Sequence, residues 1–199
     1  MERKFRTGGR YIAGWRKSIK YLSMIQIQGF TFNPFEENTY ILYDETKECV
    51  IIDPGCSNKS EQEELVQFIT DESLKPVKLL NTHCHIDHVL GNAFIAKKYN
   101  LGLEIHKNDL QTLRSLPQVS HLYGLNAQES VEPSNFLNEG DTIRFGTSTL
   151  DIVFVPGHSP GSICFISQED KFVIGGDVLF YGGIGRTDLP GGNHALLLS

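Results

Sequence analysis

The sequence predicts a mixed α/β or α+β sandwich with helices outside its sheets. Three observations carry that reading. The readable elements run as strands, then strands alternating with helices, then strands again. At 199 residues, with 40% hydrophobic and 21% charged side chains, the chain can bury one sizeable core, which excludes disordered and collagen-like classes. No apolar run approaches the ~20 residues of a membrane-spanning helix, and no repeat or linker divides the chain after residue 24.

Each element has a local cause. Residues 24–29 alternate Met, Ile and Ile with Gln, the period of a half-buried strand. Residues 39–43 and 49–52 read as two more strands, joined by a polar turn at 44–48 and ended by Asp53-Pro54-Gly55. Ser60 to Glu63 has the form of a capping box, with Leu65, Phe68 and Ile69 on one face, so a helix is expected over about 61–70. Residues 77–81 form a strand-length apolar run, followed by a His-rich stretch and a helical segment at 92–99. Leu110, Leu113 and Leu116 predict a third helix stopped by Pro117. Residues 142–145, 149–155, 162–167 and 172–175 read as strands bounded by Gly, Pro or acidic turns.

Charge is unevenly divided. Residues 1–23 carry seven basic groups against Glu2, or +6, which leaves −12 for the rest of a chain whose net charge is −6. An acidic body argues against a nucleic-acid surface, which needs clustered Lys and Arg. The basic head lacks the apolar region of a secretory signal. Its Arg-rich, acid-poor character has something of an organelle presequence, but the expectation is a disordered extension to a domain that begins near Met24. Cys49, Cys56, Cys84 and Cys164 include no C-x-x-C pair, so they are expected as reduced thiols in a cytoplasmic protein.

The chemistry concentrates in Thr82-His83-Cys84-His85-Ile86-Asp87-His88. In an extended segment His83 and His85 point the same way and can grip one ion, while Cys84 faces the core. Asp87 and His88 follow where the chain turns and can face a second position. Three imidazoles and a carboxylate so close together suit Zn²⁺ or Fe. His158, in Pro156-Gly157-His158-Ser159-Pro160-Gly161, and Asp177, after Gly175-Gly176, stand at the exits of other strands. Ligands arriving on loops at one sheet edge are what a metal hydrolase needs.

These residues resemble the metallo-β-lactamase superfamily over about residues 24–192. His83, His85, Asp87 and His88 match its H-x-H-x-D-H signature, His158 its P-G-H-[ST]-P-G turn, and Asp177 its G-D aspartate. Gly182-Gly183-Ile184-Gly185-Arg186-Thr187-Asp188 is similar to a loop of the small glyoxalase II-like hydrolases. Class B β-lactamases of the superfamily more often place Cys where Asp177 stands. The resemblance implies an αββα sandwich with a dinuclear site, two zinc ions in the family pattern, with Fe or Mn also accepted. His83, His85 and His158 would hold one ion, Asp87 and His88 the other, and Asp177 would bridge them. The family's last ligand, a His in a P-G-H-G-like turn, has no counterpart before Ser199. His194 lacks that turn, and His106 and His121 are expected at the core edge or in loops. The sandwich is therefore expected to be incomplete at its C-terminus, with a weaker second metal site.

The resemblance assigns residues 24–199 to a hydrolase domain in which a metal-bound hydroxide attacks a carbonyl. Asp87 is the expected catalytic residue, orienting the nucleophile or passing on its proton. A small-molecule acyl thioester or ester is the expected substrate, because a thiolate leaves without strong acid assistance. A lactone, or a persulfide in an iron dioxygenase, could use the same scaffold. A non-catalytic metal-binding domain is the reading from outside enzymology. Neither a nucleic acid nor a membrane is expected as a partner.

Overall fold

Strands buried on both faces organise the molecule. The computed structural model describes residues 24–125, 127 and 129–199. The expectation of a disordered basic head falls on residues 1–23 and lies outside them. β1 (Gln26–Phe32), β2 (Glu37–Tyr43) and β3 (Glu48–Ile52) pair antiparallel. β4 (Lys75–Leu80), β5 (Leu103–Ile105) and β6 (Pro133–Phe136) continue that sheet in parallel, in the order β1-β2-β3-β4-β5-β6. Because successive side chains alternate, Ile41 and Ile51 enter one core while Leu42, Val50 and Ile52 enter another.

The first core lies under helices. α1 (Lys59–Asp71) supplies Leu65 and Ile69, α2 (Ile86–Val89) supplies Val89, and α3 (Asn92–Tyr99) supplies Ile95. α4 (Leu110–Arg114) and α5 (Leu116–Leu122) add Leu113 and Leu116. The second core lies between sheets. β7 (Thr142–Phe145), β8 (Ser148–Phe154), β9 (Ile163–Ser167) and β10 (Phe172–Ile174) form an antiparallel sheet ordered β10-β9-β8-β7, whose Phe145, Leu150, Ile152 and Phe165 pack against Leu42, Val50, Ile52 and Leu80. The expected sandwich is thus present as helix, sheet and sheet layers. After β10 come a short hairpin of β11 (Leu179–Phe180) and β12 (Gly183–Ile184) and a single helical turn, α6 (His194–Leu197). No helix among the described residues is long and apolar enough to cross a membrane.

Local readings needed correction in three places. α1 is capped by Asn58, whose Oδ1 accepts from the Glu61 amide at 3.1 Å, rather than by Ser60. Glu61 in turn accepts from the Ser57 amide, so the reciprocal cap exists two residues earlier than expected. Pro117 does not stop a helix but stands in the first turn of α5, where a missing N–H costs nothing. In β1 the buried side chains are Phe30 and Phe32, and Ile27 is exposed.

The topology gathers strand exits at one edge. β3 and β4 run parallel and end together, at Asp53 and Asn81. The Ile163 amide donates to the Thr82 carbonyl at 2.9 Å, tying the start of β9, and with it the loop after β8, to the same place.

Candidate metal centre

Two adjacent clusters of ligand-type side chains occupy this edge, and a third group, Asp53 with His83 and His88, overlaps both. His83, His85 and His158 form one, and Asp87, His88 and Asp177 the other; within each, the donor atoms lie within 4.8 Å of one another. All six residues singled out in the sequence meet here. His85 has extended backbone and ends the loop after β4, while Asp87 and His88 sit on the turn of α2. His158 follows β8, and Asp177 follows β10 through Gly176. There φ is +51°, and a Cβ would collide with the Thr82 hydroxyl, so glycine is required on both counts. His106 instead caps a short turn and stacks on Phe154, and exposed His121 and His194 belong to neither cluster.

Hydrogen bonds fix which ring nitrogens face inward. The Thr82 hydroxyl donates to Asp53 Oδ2 at 2.6 Å, so at His83 it accepts from Nδ1 at 3.1 Å. His158 Nδ1 lies 2.8 Å from the Arg186 carbonyl, which can only accept. In the neutral rings Nε2 is then the nitrogen with the lone pair, and these two nitrogens stand 3.1 Å apart. His85 Nδ1 is 2.8 Å from the same His158 nitrogen. Such lone pairs repel unless a cation lies among them, so the donor set fits a bound metal. Burial, then the neighbouring imidazoles, hold His83 well below the ordinary histidine range and bring His85 down to about 3. Both rings are neutral, as ligation requires.

The second cluster is more anionic. Asp177 Oδ1 and Asp87 Oδ2 each lie 3.4 Å from His88 Nε2, and Asp177 Oδ2 lies 3.6 Å from His158 Nε2. One carboxylate therefore faces both clusters. Burial works against the charge on Asp177, but the hydrogen bond and charge of His88 outweigh it and keep this carboxyl below its usual range. Burial raises Asp87. Burial also opposes charge on His88, yet Asp53, with Asp177 and Asp87, overrides it and lifts His88 well above the ordinary value.

Three supporting acids were not picked out from the sequence. Asp53, read only as a strand terminator, has φ +51°, a left-handed conformation that costs a non-glycine residue about 1 kcal/mol. It is held there by the Asn81 side-chain amide and by the Thr82 amide and hydroxyl, and it stands 3.1 Å from His88 Nδ1. Glu37, pushed up to about 9 by burial, lies 3.8 Å from that nitrogen. Asp109 joins the loops of both histidine motifs. The available signal was an acid placed, like His83 and Asp177, just beyond an apolar strand; only Asp53 carries it.

A family model described as the Metallo-beta-lactamase superfamily matches residues 33–199. The chain is 38% identical over 169 residues to hydroxyacylglutathione hydrolase GloC of Haemophilus influenzae, covering 83% of this chain and 77% of that one. It is 32% identical over 155 residues to the human mitochondrial persulfide dioxygenase ETHE1, covering 77% of this chain and 52% of that one. Among solved structures, the B3 metallo-beta-lactamase BLEG-1 superposes with a TM-score of 0.78 at 33% identity, covering 87% and 82% of the two chains. TTHA1623, solved in a di-iron-bound form, gives 0.77 at 32% identity, covering 86% and 82%. With its sheet order, its two ligand clusters and these matches together, the chain belongs to the metallo-beta-lactamase superfamily.

Proposed function

We propose that this chain is a metal-dependent hydrolase of small acyl thioesters. In this reading His83, His85 and His158 hold one ion, Asp87 and His88 a second, and Asp177 stands between them. The single observation that carries it is the Asp177 carboxylate, whose two oxygens face separate clusters at 3.6 and 3.4 Å. The identity to a hydroxyacylglutathione hydrolase supports the thioester. Zinc, iron or manganese bound here would acidify water and polarise an acyl carbonyl. The chain's own groups supply orientation and proton handling. Asp87 borders the adjoining cavity and is raised by burial, so a carboxylate oxygen there orients the attacking water and receives its proton. Thr82 and the Arg186 carbonyl hold His83 and His158 in their ligating tautomers.

The hydrolase domain is proposed to span residues 24–199, with residues 1–23 an extension dispensable for the site. Four buried, unpaired thiols fit a reducing, cytoplasmic setting. The identity to a persulfide dioxygenase favours a second reading, oxidation of a persulfide at one iron. The test loads the full chain with Zn²⁺ or Fe²⁺. It follows thiol release from acyl thioesters, opening of lactones, and oxygen uptake with glutathione persulfide. Metal-dependent thiol release is the expected result. Oxygen uptake without thiol release would replace it with the second reading, and lactone opening alone would make the chain a lactonase.

A further inference from the structure

A cavity of about 730 Å³ opens beside the ligand clusters, reaching His85, Asp87 and Asp177. That volume lies within the usual range for small-molecule sites. Beyond the clusters its wall is mostly apolar: α5 presents Leu116 and Val119, with Tyr123 just beyond, and Leu189 and Pro190 join them. Asn108, Gln111, Thr112 and Ser115 add uncharged polar groups. Phe35 projects from the β1–β2 turn and meets Tyr123 edge to face, with ring centroids 5.3 Å apart. That turn is pinned to the site, because the Asn33 side-chain amide donates to the carbonyls of Gly55 and Asp87 at 3.0 Å each. Among the described residues lining the cavity, Arg186 is the one guanidinium or ammonium group, and its Nε and Nη2 both donate to Asp188 at 2.7 Å. A glutathione conjugate brings two carboxylates, and this wall offers them no unpaired cation, only neutral donors such as Asn108 and Gln111, so their desolvation would be compensated in part only.

We infer that this cavity is an acyl pocket, selecting thioesters with an apolar alkyl or aromatic acyl group over glutathione conjugates of small polar acids. The inference rests on the thioester reading above and adds the substrate class. Each methylene moved from water to this wall is worth up to about fourfold in affinity.

The test uses the full chain and N-acetylcysteamine thioesters of increasing acyl length, alongside S-D-lactoylglutathione. Binding of the matching non-hydrolysable S-alkyl thioethers is measured in parallel by calorimetry. The expected result is a kcat/KM at least about tenfold higher for hexanoyl than for acetyl, the same order in thioether affinity, and lactoylglutathione below hexanoyl. Val119→Asp should flatten both series. Tyr123→Ala, at an exposed position safe for folding, should reduce the hexanoyl advantage. Equal values across both series, or preferred turnover of lactoylglutathione, would overturn the acyl pocket while leaving thioester hydrolysis intact. Chain-length-ordered thioether binding without any thioester turnover would uphold the pocket and overturn the reaction.

Discussion

Asp109 ligates nothing in either cluster, yet its oxygens reach both histidine loops. Oδ2 accepts from the Cys84 amide, between His83 and His85, at 2.7 Å. Oδ1 accepts from the Ser159 hydroxyl and the Gly161 amide, beside His158, both at 2.6 Å. Gly161 packs so closely that a Cβ there would lie 2.6 Å from the Asp109 amide nitrogen. All three groups donate, so Asp109→Asn would turn an amide N–H₂ against a donor on one side. The expected outcome is a fall of about 10–100-fold in metal affinity, read by competition with a chelating dye, with the far-ultraviolet circular dichroism kept. An affinity equal to that of the parent chain would make Asp109 a packing residue only. The six ligand-type residues were legible because their spacing and strand-exit turns are local patterns. Asp109 was not, since its partners lie 25 to 52 positions away and a lone acid in a helical stretch carries no pattern. Asp53 was half legible: its turn was read, but not the contacts 28 and 29 positions on that fix it.

At the opposite end of β2 from the site, one carboxylate joins the turns of the two sheets. Asp44 accepts from the Thr46 amide at 2.9 Å within its own turn, and from the Thr147 amide at 2.7 Å and the Ser148 hydroxyl at 2.9 Å in the β7–β8 turn. Gly146 completes the contact, with φ +54° and no room for a Cβ beside Thr46 and Asp44. Burial alone would raise the Asp44 pKa, but these hydrogen bonds outweigh it and hold the carboxyl below its ordinary value. Its stabilisation is therefore present above the unfolded-state carboxylate pKa and is lost as pH falls through the lower folded value. Asp44→Ala is expected to cost about 2 kcal/mol, measured by urea unfolding at neutral pH, with metal content unchanged. An unfolding midpoint like the parent's would show the two sheets do not need this clamp. Most elements were legible from periodicity, including the turn at Asp44. β5, β6 and the β11–β12 hairpin were missed: at two to four residues no period appears, and they lack the paired turn signals by which the equally short β7 and β10 were read. The split of the third helix was missed because Pro117 permits either a stop or a start.

Across the whole molecule, the layered sandwich and the meeting of ligands at one edge were legible, because strand order and strand exits together determine that edge. The balance between the two clusters depends on burial, which no spacing reveals. Since every candidate ligand among the described residues lies at or after Asp53, deleting residues 1–22 is expected to leave metal content and activity unchanged; loss of folding would instead make the basic head part of the domain. The two clusters should also separate by pH. One has three imidazoles with Asp177 nearby, and the other has a single imidazole between two carboxylates. A proton competes with a metal for His88 Nε2, and the surrounding carboxylates raise His88 well above the ordinary value, so affinity there falls as pH drops below that raised pKa. His85, at about 3, and His83, also depressed, meet no such competition until the solution is strongly acidic. The metal-free chain should show the reverse trend: a raised folded pKa makes the contribution of His88 to stability complete below its unfolded value and lost as pH rises through the folded one. Dialysis at mildly acidic pH is therefore expected to leave about one ion per chain and dialysis at alkaline pH about two, with metal-free and metal-loaded melting temperatures diverging as pH rises. Elemental analysis across that range decides the matter: if both ions leave together at one pH, the clusters bind as a single unit and the separation argued from His88 is wrong.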